Sequence, residues 1–316
     1  MPLFNVITKL ALITITGVLI SACVTVETRV YDAGVVVERA RSDVEEVRLP
    51  AGEGELSALY REGEAGPPVL MLHGFASQKE VWLRFIRELP EDRTVIAVDI
   101  PGHGESLDYG GPDYVYDIYG LTQAVVDLLD DLPYEQVHVV GTSLGGAVSL
   151  ATALNRPDKV LSVGLYNPAG AREAETDVIR NAISGGNNPL IARDREAMDA
   201  LIELIFYEAP AMPWPVRSML TRYHAERANM HQRIWDDLWA QREEIAPILK
   251  QISQPVLLVW GEQDRIFDVS GVEVFETHLR DVRTFIVPDA GHTVILEEAE
   301  DAARWHTEFI AELEAN

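Results

Sequence analysis

Short apolar runs recur along the chain from residue 44 onward, and from the third run most of them are separated by helical patterns. Apolar runs bounded by turn residues are typical of buried strands, whereas apolar positions three and four residues apart predict amphipathic helices. The pattern predicts strands over residues 44–49, 56–60, 68–72, 95–99, 136–140, 160–166, 255–260 and 283–287, and helices over 79–89, 116–132, 144–154, 271–279 and 298–313. Because strands and helices alternate, we expect an α/β fold built on a doubly wound, mostly parallel sheet.

One interval between two predicted strands is too long for a simple crossover. Almost ninety residues separate the run at 160–166 from the run at 255–260. Most of them follow a helical pattern, which is interrupted by Pro210, Pro213 and Pro215. A structureless loop of that length is uncommon in a compact domain, so an inserted subdomain is the better interpretation. We expect an α/β core over residues 44–170 and 251–316, with a helical cap over 171–250.

The longest apolar stretch of the chain lies near its start, over residues 10–22. It follows the single cation Lys9 and is too short for an ordinary membrane-spanning helix, which makes it typical of a signal peptide. The stretch ends in Leu-Ile-Ser-Ala and is followed by Cys23, the only cysteine of the chain. An aliphatic residue, two small residues and a cysteine resemble the lipobox of bacterial lipoproteins.

The lipobox resemblance implies a signal peptide over residues 1–22, acyl chains on Cys23 and a tether over residues 23–43. Two or three acyl chains would anchor the protein stably in a bacterial cell envelope. The outer membrane is favoured because Val24, rather than an aspartate, follows the cysteine, and the protein would face the periplasm or the cell surface. A soluble secreted protein, or an uncleaved anchor with a chance cysteine, is the alternative interpretation.

Composition and charge restrict the partners of this chain. The 316 residues are 47% apolar and 24% charged, which is ordinary for one large globular domain with an insertion. The formal net charge of −25 opposes contact with nucleic acid, so we expect no such partner. The histidines at positions 138, 224, 231, 278 and 306 lack the spacing of metal ligands, and we expect neither a metal nor another cofactor.

Ser143 lies where a predicted strand turns sharply into a predicted helix, within the sequence Gly-Thr-Ser-Leu-Gly over residues 141–145. Such a reversal strains the backbone of the central residue and needs neighbours without bulky side chains, which Gly141 and Gly145 provide. The geometry lifts the Ser143 hydroxyl above the sheet and leaves the Leu144 N–H at a helix start, where it can face an oxyanion. Ser143 is therefore the candidate nucleophile.

A serine hydroxyl needs a neighbouring imidazole to accept its proton, and the imidazole needs a carboxylate to orient it. Asp264 and His292 each follow a predicted strand closely, so both lie at the carboxyl edge of the sheet, where ligands bind in parallel sheets. Together with Ser143 they occur in the chain order Ser, Asp, His that is known for one class of such triads. Asp268 is the rival carboxylate, but it lies deeper in the following loop, so Asp264 is preferred.

A second oxyanion donor is expected after the predicted strand at 68–72, in the sequence His-Gly-Phe. Gly74 permits a tight turn there, and the Phe75 N–H can then face the oxyanion together with that of Leu144. His73 lies beside this turn, where histidines more often support the loop than act as a base. We therefore assign His73 a structural role.

Together these segments resemble the α/β-hydrolase superfamily, and among its members the bacterial family V lipases and the membrane-anchored monoacylglycerol lipases of mammals. The resemblance extends from about residue 44 to the end of the chain and rests on the motifs LMLHGF (70–75), VDIPGHG (98–104), GTSLGG (141–146), WGEQD (260–264) and GH (291–292). It implies Ser143 as the nucleophile, His292 as the general base and then acid, Asp264 as the residue that orients it, and the N–H groups of Phe75 and Leu144 as the oxyanion hole. Related dehalogenases and epoxide hydrolases carry aspartate at the nucleophile position, so Ser143 argues against both.

A long acyl chain would need an apolar slot beneath the cap. Apolar residues of the predicted insertion are candidates to line it, and from this set we select Phe206, Met212, Trp214 and Met219. Apolar residues at helical spacing more often belong to a cap's own core. Trp214, which lies between two prolines, can instead contact a bilayer, because tryptophan favours that interface.

We therefore expect a lipid-anchored serine hydrolase that cleaves carboxylic esters, acylglycerols or other apolar acyl esters, through an acyl-enzyme on Ser143. Its partners would be a small-molecule or lipid ester as substrate and the membrane through Cys23. A carbon–carbon bond hydrolase with the same triad is one alternative, which the expected location outside the cytoplasm disfavours. A non-catalytic binding lipoprotein is another, although all three triad residues are present.

Overall fold

The computed structural model describes residues 26–240 and 245–315. Its centre is a sheet of eight strands, each of which coincides with one of the apolar runs predicted to form a strand. The strands are β1 (Glu45–Ala51), β2 (Gly54–Arg61), β3 (Val69–Leu72), β4 (Val95–Val98), β5 (Val137–Thr142), β6 (Val160–Tyr166), β7 (Val256–Gly261) and β8 (Val282–Val287). The predicted signal peptide over residues 1–22 and its Cys23 lie outside the described residues.

The sheet is mostly parallel, as the alternation of strands and helices predicts. Its strand order is β1-β2-β4-β3-β5-β6-β7-β8. β1 pairs with β2 and β2 with β4 in antiparallel orientation, whereas every pairing from β4 to β8 is parallel. Since β5 lies between β3 and β6, the loops that follow these three strands meet at one edge of the sheet.

Helices occupy the intervals between strands that were predicted to be helical. They are α2 (Leu83–Glu88), which a 3-10 turn precedes, α3 (Ile118–Asp131), α4 (Leu144–Asn155), α9 (Gly271–His278), α10 (Val294–Glu297) and α11 (Ala299–Glu314). Alternate residues of a strand enter separate apolar cores, with Leu70 and Leu72 in one and Val69 and Met71 in the other. The doubly wound architecture predicted from the sequence is thereby confirmed.

In the described part of the segment between β6 and β7, where the sequence predicts the helical cap, the chain forms four α-helices. They are α5 (Asp177–Ile183), α6 (Arg195–Ile205), α7 (Val216–Ala240) and α8 (Ala246–Leu249). Ala228, Ile234 and Trp235 of α7 belong to one of the two apolar cores of the sheet domain. Met198 and Leu201 of α6 instead form part of a small separate core. Ile179 of α5 and Leu249 of α8 belong to the same core as the α7 residues, so α5, α7 and α8 all attach the insertion to the sheet domain.

Within the segment predicted as a tether, residues 26–41 form a helix, α1, before β1. Glu38 near its end accepts a hydrogen bond from Arg87 on α2, and Ser42 Oγ, directly after the helix, donates to the Leu83 carbonyl at 2.9 Å. These partners lie far along the chain, so the local pattern carries no signal for them. Neither α1 nor any other helix in the described part of the chain is long and apolar enough to cross a membrane.

Candidate active site

Ser143 lies at a sharp reversal between β5, which ends at Thr142, and α4, which begins at Leu144. Its backbone has φ 52° and ψ −118°, a conformation that L-amino acids rarely adopt. The turn is so tight that a Cβ on Gly145 would lie 2.1 Å from the Leu72 carbonyl oxygen, so only glycine fits there. The structure therefore places Ser143 in the strained elbow that the sequence predicts.

Asp264 and His292 are joined by a hydrogen bond between the loops after β7 and β8. His292 Nδ1 lies 2.8 Å from Asp264 Oδ2, and the Asp264 side chain is wholly buried. A carboxylate accepts the hydrogen bond, so Nδ1 carries the proton and the lone pair of Nε2 is left to act as a base. The pair has the arrangement required of a base and its orienting carboxylate.

The other oxygen of Asp264 is held by the backbone. Asp264 Oδ1 accepts hydrogen bonds from the N–H groups of Ile266 at 2.8 Å and Phe267 at 3.1 Å. The rival Asp268 is exposed, and its Oδ1 accepts from the Ser270 N–H at 2.9 Å; hydrogen bonds with the Ser270 side chain and with this N–H lower the pKa of Asp268. The structure therefore joins Asp264, and not Asp268, to the imidazole.

Asn167, which the sequence analysis does not single out, connects the elbow to the buried carboxylate. It follows β6 with φ 46°, and its Nδ2 donates to Asp264 Oδ2 at 2.8 Å. On either side of it, the Ser143 N–H donates to the Tyr166 carbonyl and the Ala169 N–H donates to the Ser143 carbonyl, both at 3.0 Å. One hydrogen-bond network thus includes the elbow and the carboxylate. The signal that could have identified Asn167 is its position directly after a predicted strand.

The loop after β3 lies directly against the candidate nucleophile. A Cβ on Gly74 would be 3.2 Å from the Ser143 Cβ and 3.7 Å from its Oγ, so a side chain there would crowd the hydroxyl. Within residues 26–240 and 245–315, the N–H groups of Phe75 and Leu144 have no acceptor in the protein. Two unpaired N–H groups beside the serine, one of them at a helix start, are the arrangement expected of an oxyanion hole.

His73 is fully buried and forms part of the loop structure. Its Nε2 accepts a hydrogen bond from the Ile100 N–H at 3.2 Å, and burial lowers its pKa to about 4. Its ring centroid lies 5.1 Å from that of His103, whose pKa burial lowers to about 3. Both rings are therefore uncharged at neutral pH and support the loops after β3 and β4.

The cap reaches the candidate oxyanion loop through an aromatic cluster. The Phe75 ring lies 5.9 Å from His231 and 5.6 Å from Trp235, both on α7, and 6.2 Å from His103, measured between ring centroids. His231 is fully buried, neither of its nitrogens has a hydrogen-bond partner in the described part of the chain, and burial lowers its pKa to about 2. In the sequence His231 is one of several scattered histidines, and no local pattern indicates its contact with Phe75.

The loop that carries His292 is also bonded to the cap. The His292 N–H donates to the Ile205 carbonyl, the last residue of α6, at 2.9 Å. Glu297 on α10 accepts hydrogen bonds from the N–H groups of Gly291 at 2.9 Å and Tyr207 at 2.7 Å. One carboxylate therefore bridges the loop of the candidate base and the cap. Nothing in the sequence distinguishes Glu297 from its acidic neighbours.

The four residues selected from the sequence to line an acyl slot are not brought together. Phe206 is buried in the small core of the cap, and Met212 packs against that core. Met219 lines a cavity of about 510 Å³ between α1 and α7. Trp214 is 63% exposed, and its Nε1 donates to Glu27 on α1 at 3.2 Å. The structure separates Trp214 and Met219 from Phe206, because spacing along a segment does not determine which element each face will meet.

The family profile described as the alpha/beta hydrolase fold matches residues 67–299. The chain belongs to this family. This α/β-hydrolase is 29% identical over 260 residues to monoacylglycerol lipase abhd6-B of Xenopus laevis. The aligned region covers 79% of this chain and 77% of that protein. It is 28% identical over 285 residues to lipase 1 of Psychrobacter immobilis, and the aligned region covers 88% of each chain.

Solved structures include a similar protein described as a membrane phospholipase A and a bacterial virulence factor. The TM-score is 0.88 at 27% sequence identity, and the match covers 97% of this α/β-hydrolase and 98% of that chain. The comparisons confirm the predicted superfamily and fold. They also confirm the predicted class of enzyme, a carboxylic ester hydrolase.

Proposed function

We propose that this α/β-hydrolase is a serine esterase anchored in a bacterial cell envelope, and that it cleaves acylglycerols or other apolar acyl esters through an acyl-enzyme on Ser143. The observation that carries the proposal is the 2.8 Å hydrogen bond between His292 Nδ1 and Asp264 Oδ2, in a chain whose Ser143 occupies a strained elbow. A base oriented in this way is what a serine hydroxyl needs in order to attack an ester at neutral pH.

In the first proposed half-reaction, Ser143 Oγ attacks the acyl carbon while its proton moves to His292 Nε2. The buried carboxylate of Asp264 stabilises the imidazolium that forms. The charge that develops on the former carbonyl oxygen is stabilised by the N–H groups of Phe75 and Leu144, each donor being worth about 3 kcal/mol in the transition state. His292 then gives its proton to the leaving alcohol as the ester C–O bond breaks, which leaves the acyl group on the serine.

The second half-reaction repeats these steps with water. His292 accepts a proton from water as the water oxygen attacks the acyl carbon. The proton then passes to Ser143 Oγ as the acyl–oxygen bond breaks. The products are a carboxylic acid and the free serine hydroxyl, so the imidazole returns to its original state after each cycle.

The preference for apolar acyl groups is supported by the relatives and by side chains near the triad. Two relatives are named a monoacylglycerol lipase and a lipase, and a solved one a membrane phospholipase A. The Phe267 ring centroid lies 5.7 Å from that of His292, and Phe75 packs among rings of α7. Burial of an acyl chain against such groups contributes about 0.8 kcal/mol per CH₂. The anchor is supported by the lipobox-like sequence at Cys23.

Replacement of Ser143 tests the proposal most directly. We expect Ser143→Ala to lower kcat on a short p-nitrophenyl ester by about a million-fold, because only the oxyanion hole and substrate binding remain. A fluorophosphonate probe should label the wild-type protein and not this variant. Ser184→Ala is a matched control, since Ser184 is an exposed residue outside the site whose Oγ donates to the Arg180 carbonyl at 2.7 Å.

Two results would contradict the assignment. Hydrolysis by Ser143→Ala at a rate near that of the wild type would show that another group is the nucleophile. A folded wild-type protein that takes no label would favour a non-catalytic binding lipoprotein. A panel of monoacylglycerols, triacylglycerols, phosphatidylcholine and short aryl esters then tests the substrate class, and we expect the highest kcat/KM on long-chain esters. Activity confined to the short aryl esters would remove the lipid part of the proposal.

A further inference from the structure

Helix α1 carries most of its apolar side chains on the outside. We use the term apolar stripe for Val26, Val30, Ala33, Val37 and Ala40, whose spacing of four and three residues places them on one face of the helix. All five are exposed, and the exposed fractions of Val26, Val30 and Val37 are 53%, 43% and 55%. Surface helices of globular proteins normally turn such a face toward the core. α1 instead turns its apolar face toward the solvent.

The side of α1 that faces the protein makes polar contacts, beside the half-buried Val35. Thr28 Oγ1 accepts a hydrogen bond from Arg222 on the cap helix α7 at 2.9 Å. Near the other end of the helix, Arg39 pairs with Glu46 on β1 at 2.8 Å. These two contacts determine how the helix is rotated about its axis, so the apolar stripe cannot turn inward while they hold.

Two arginines and a tryptophan border the apolar stripe. Arg29 and Arg41 lie on its two sides along the helix, and Arg41 also pairs with Glu38 at 3.0 Å. The exposed Trp214 lies at the first turn of α1, where its Nε1 donates to Glu27. Arginine and tryptophan at the edge of an apolar helix face are typical of helices that lie in a membrane interface, because both have an apolar body and a polar end.

The chain that leads into α1 is itself apolar. Residues 10–22 form the longest apolar stretch of the sequence, and only residues 23–25 separate it from Val26. Three residues span at most about 11 Å. Whether this stretch stays in the membrane or acyl chains on Cys23 replace it, the first turn of α1 is within reach of the bilayer interface.

We propose that the apolar stripe of α1, together with Trp214, is a surface that docks on a phospholipid bilayer and orients the enzyme there. The stripe extends over residues 26–40, which is about 21 Å at 1.5 Å per residue. With the stripe in the interface, the cap helix α7 lies beside the lipid, because Arg222 bonds it to α1. This surface is separate from the candidate active site, and its docking does not depend on hydrolysis.

A second copy of the chain fits the apolar stripe less well than a bilayer does. Spacing by four and three residues is also the pattern of a coiled coil, but the stripe holds about two heptads, whereas a coiled coil needs three or four. Two of its five positions are alanine, which buries little area in a seam. The net charge of −25 also opposes the approach of two copies.

The test uses the full-length protein reconstituted in phosphatidylcholine vesicles, with and without bromine on the acyl chains. The difference in quenching between the wild type and Trp214→Phe isolates the contribution of Trp214. We expect bromolipid to quench the fluorescence of Trp214 in the wild type. In the double variant Val30→Asp/Val37→Asp we expect no such quenching, although the protein stays in the vesicles. Ile286→Asp is the matched control, because Ile286 is 50% exposed on β8, at the opposite edge of the sheet from β1.

Activity provides a second measurement on the same proteins. We expect the double variant to hydrolyse a long-chain ester embedded in vesicles at least tenfold more slowly, and a soluble short ester at the wild-type rate. The unchanged soluble rate separates a loss of docking from a loss of catalysis. Equal quenching in the double variant and the wild type would overturn the proposal. A shift from dimer to monomer in the double variant, without bromolipid quenching in the wild type, would assign the apolar stripe to a second copy.

Discussion

The carboxyl edge of the sheet and the contact between cap and sheet domain differ in how their buried polar groups are satisfied. At the sheet edge, the Asp264 side chain accepts four hydrogen bonds, two from its own loop and two from the loops after β6 and β8. In the cap contact, His231 is equally buried, but neither of its nitrogens has a partner in residues 26–240 and 245–315, and its contacts are with other rings.

This difference shows what each region is built to do. Directional bonds from several loops leave Asp264 one orientation, which a proton-transfer site requires. Burial alone has no preferred direction, and each unpaired polar atom costs about 1 to 3 kcal/mol. We therefore expect substitutions at the sheet edge to change kcat. We expect low pH, and substitutions in the cap contact, to change the free energy of unfolding.

The largest effect is expected at Asp264. An Asp264→Asn side chain can present its amide N–H to His292 Nδ1, which favours the wrong tautomer and removes the charge that stabilises the imidazolium. We expect kcat on a short ester to fall by about ten-thousand-fold with the fold intact. Asp268→Asn is the matched control and should stay within a few-fold of the wild type. A kcat within tenfold of the wild type for Asp264→Asn would refute the role of this carboxylate.

A smaller effect is expected at Asn167. Asn167→Gly removes the amide that bonds Asp264 Oδ2 without adding strain, because glycine tolerates the left-handed φ of 46°. A hydrogen bond to a charged group contributes about 1.5 to 3 kcal/mol, so we expect kcat to fall by about 10- to 100-fold. Steady-state kinetics on a short ester measures this. Wild-type kcat would show that the remaining three bonds suffice to orient the carboxylate.

The smallest effect is expected in the cap contact and concerns pH. Burial lowers the pKa of His73, His103 and His231 to about 4, 3 and 2, whereas an unfolded histidine titrates at about 6.5. Below that pH the unfolded state binds more protons, so the free energy of unfolding falls as the pH drops from about 6.5 toward 4. The slope of this free energy against pH is proportional to the difference in bound protons between the unfolded and folded states. His231→Phe should reduce the slope by up to the contribution of one proton.

Urea denaturation followed by circular dichroism at several pH values measures that slope. Above about pH 8 the slopes of the variant and the wild type should coincide, because His231 is then neutral in both the folded and the unfolded state. Equal slopes below pH 6 would show that His231 titrates alike in the folded and unfolded chains. That result would refute the assignment of a neutral His231 ring to the folded state.

The sequence predicts more of the sheet edge than of the cap for a physical reason. Apolar runs identify the strands, and the carboxyl ends of parallel strands meet at one edge, so Ser143, Asp264 and His292 become spatial neighbours by their positions alone. No such rule applies to the cap, because a helix face can meet several elements. Spacing groups Trp214 and Met219 with Phe206, whereas in the structure Trp214 is exposed and Met219 lines the cavity between α1 and α7.

By itself, the sequence determined the element order, the strained elbow and the residue types that ester hydrolysis requires, because these depend on local periodicity and on the chemistry of single side chains. Only the tertiary structure decided that Asp264 rather than Asp268 meets His292, that Asn167 joins this carboxylate to the elbow, and that α1 turns most of its valines outward. Each of those outcomes depends on contacts between segments far apart in the chain, which no local pattern contains.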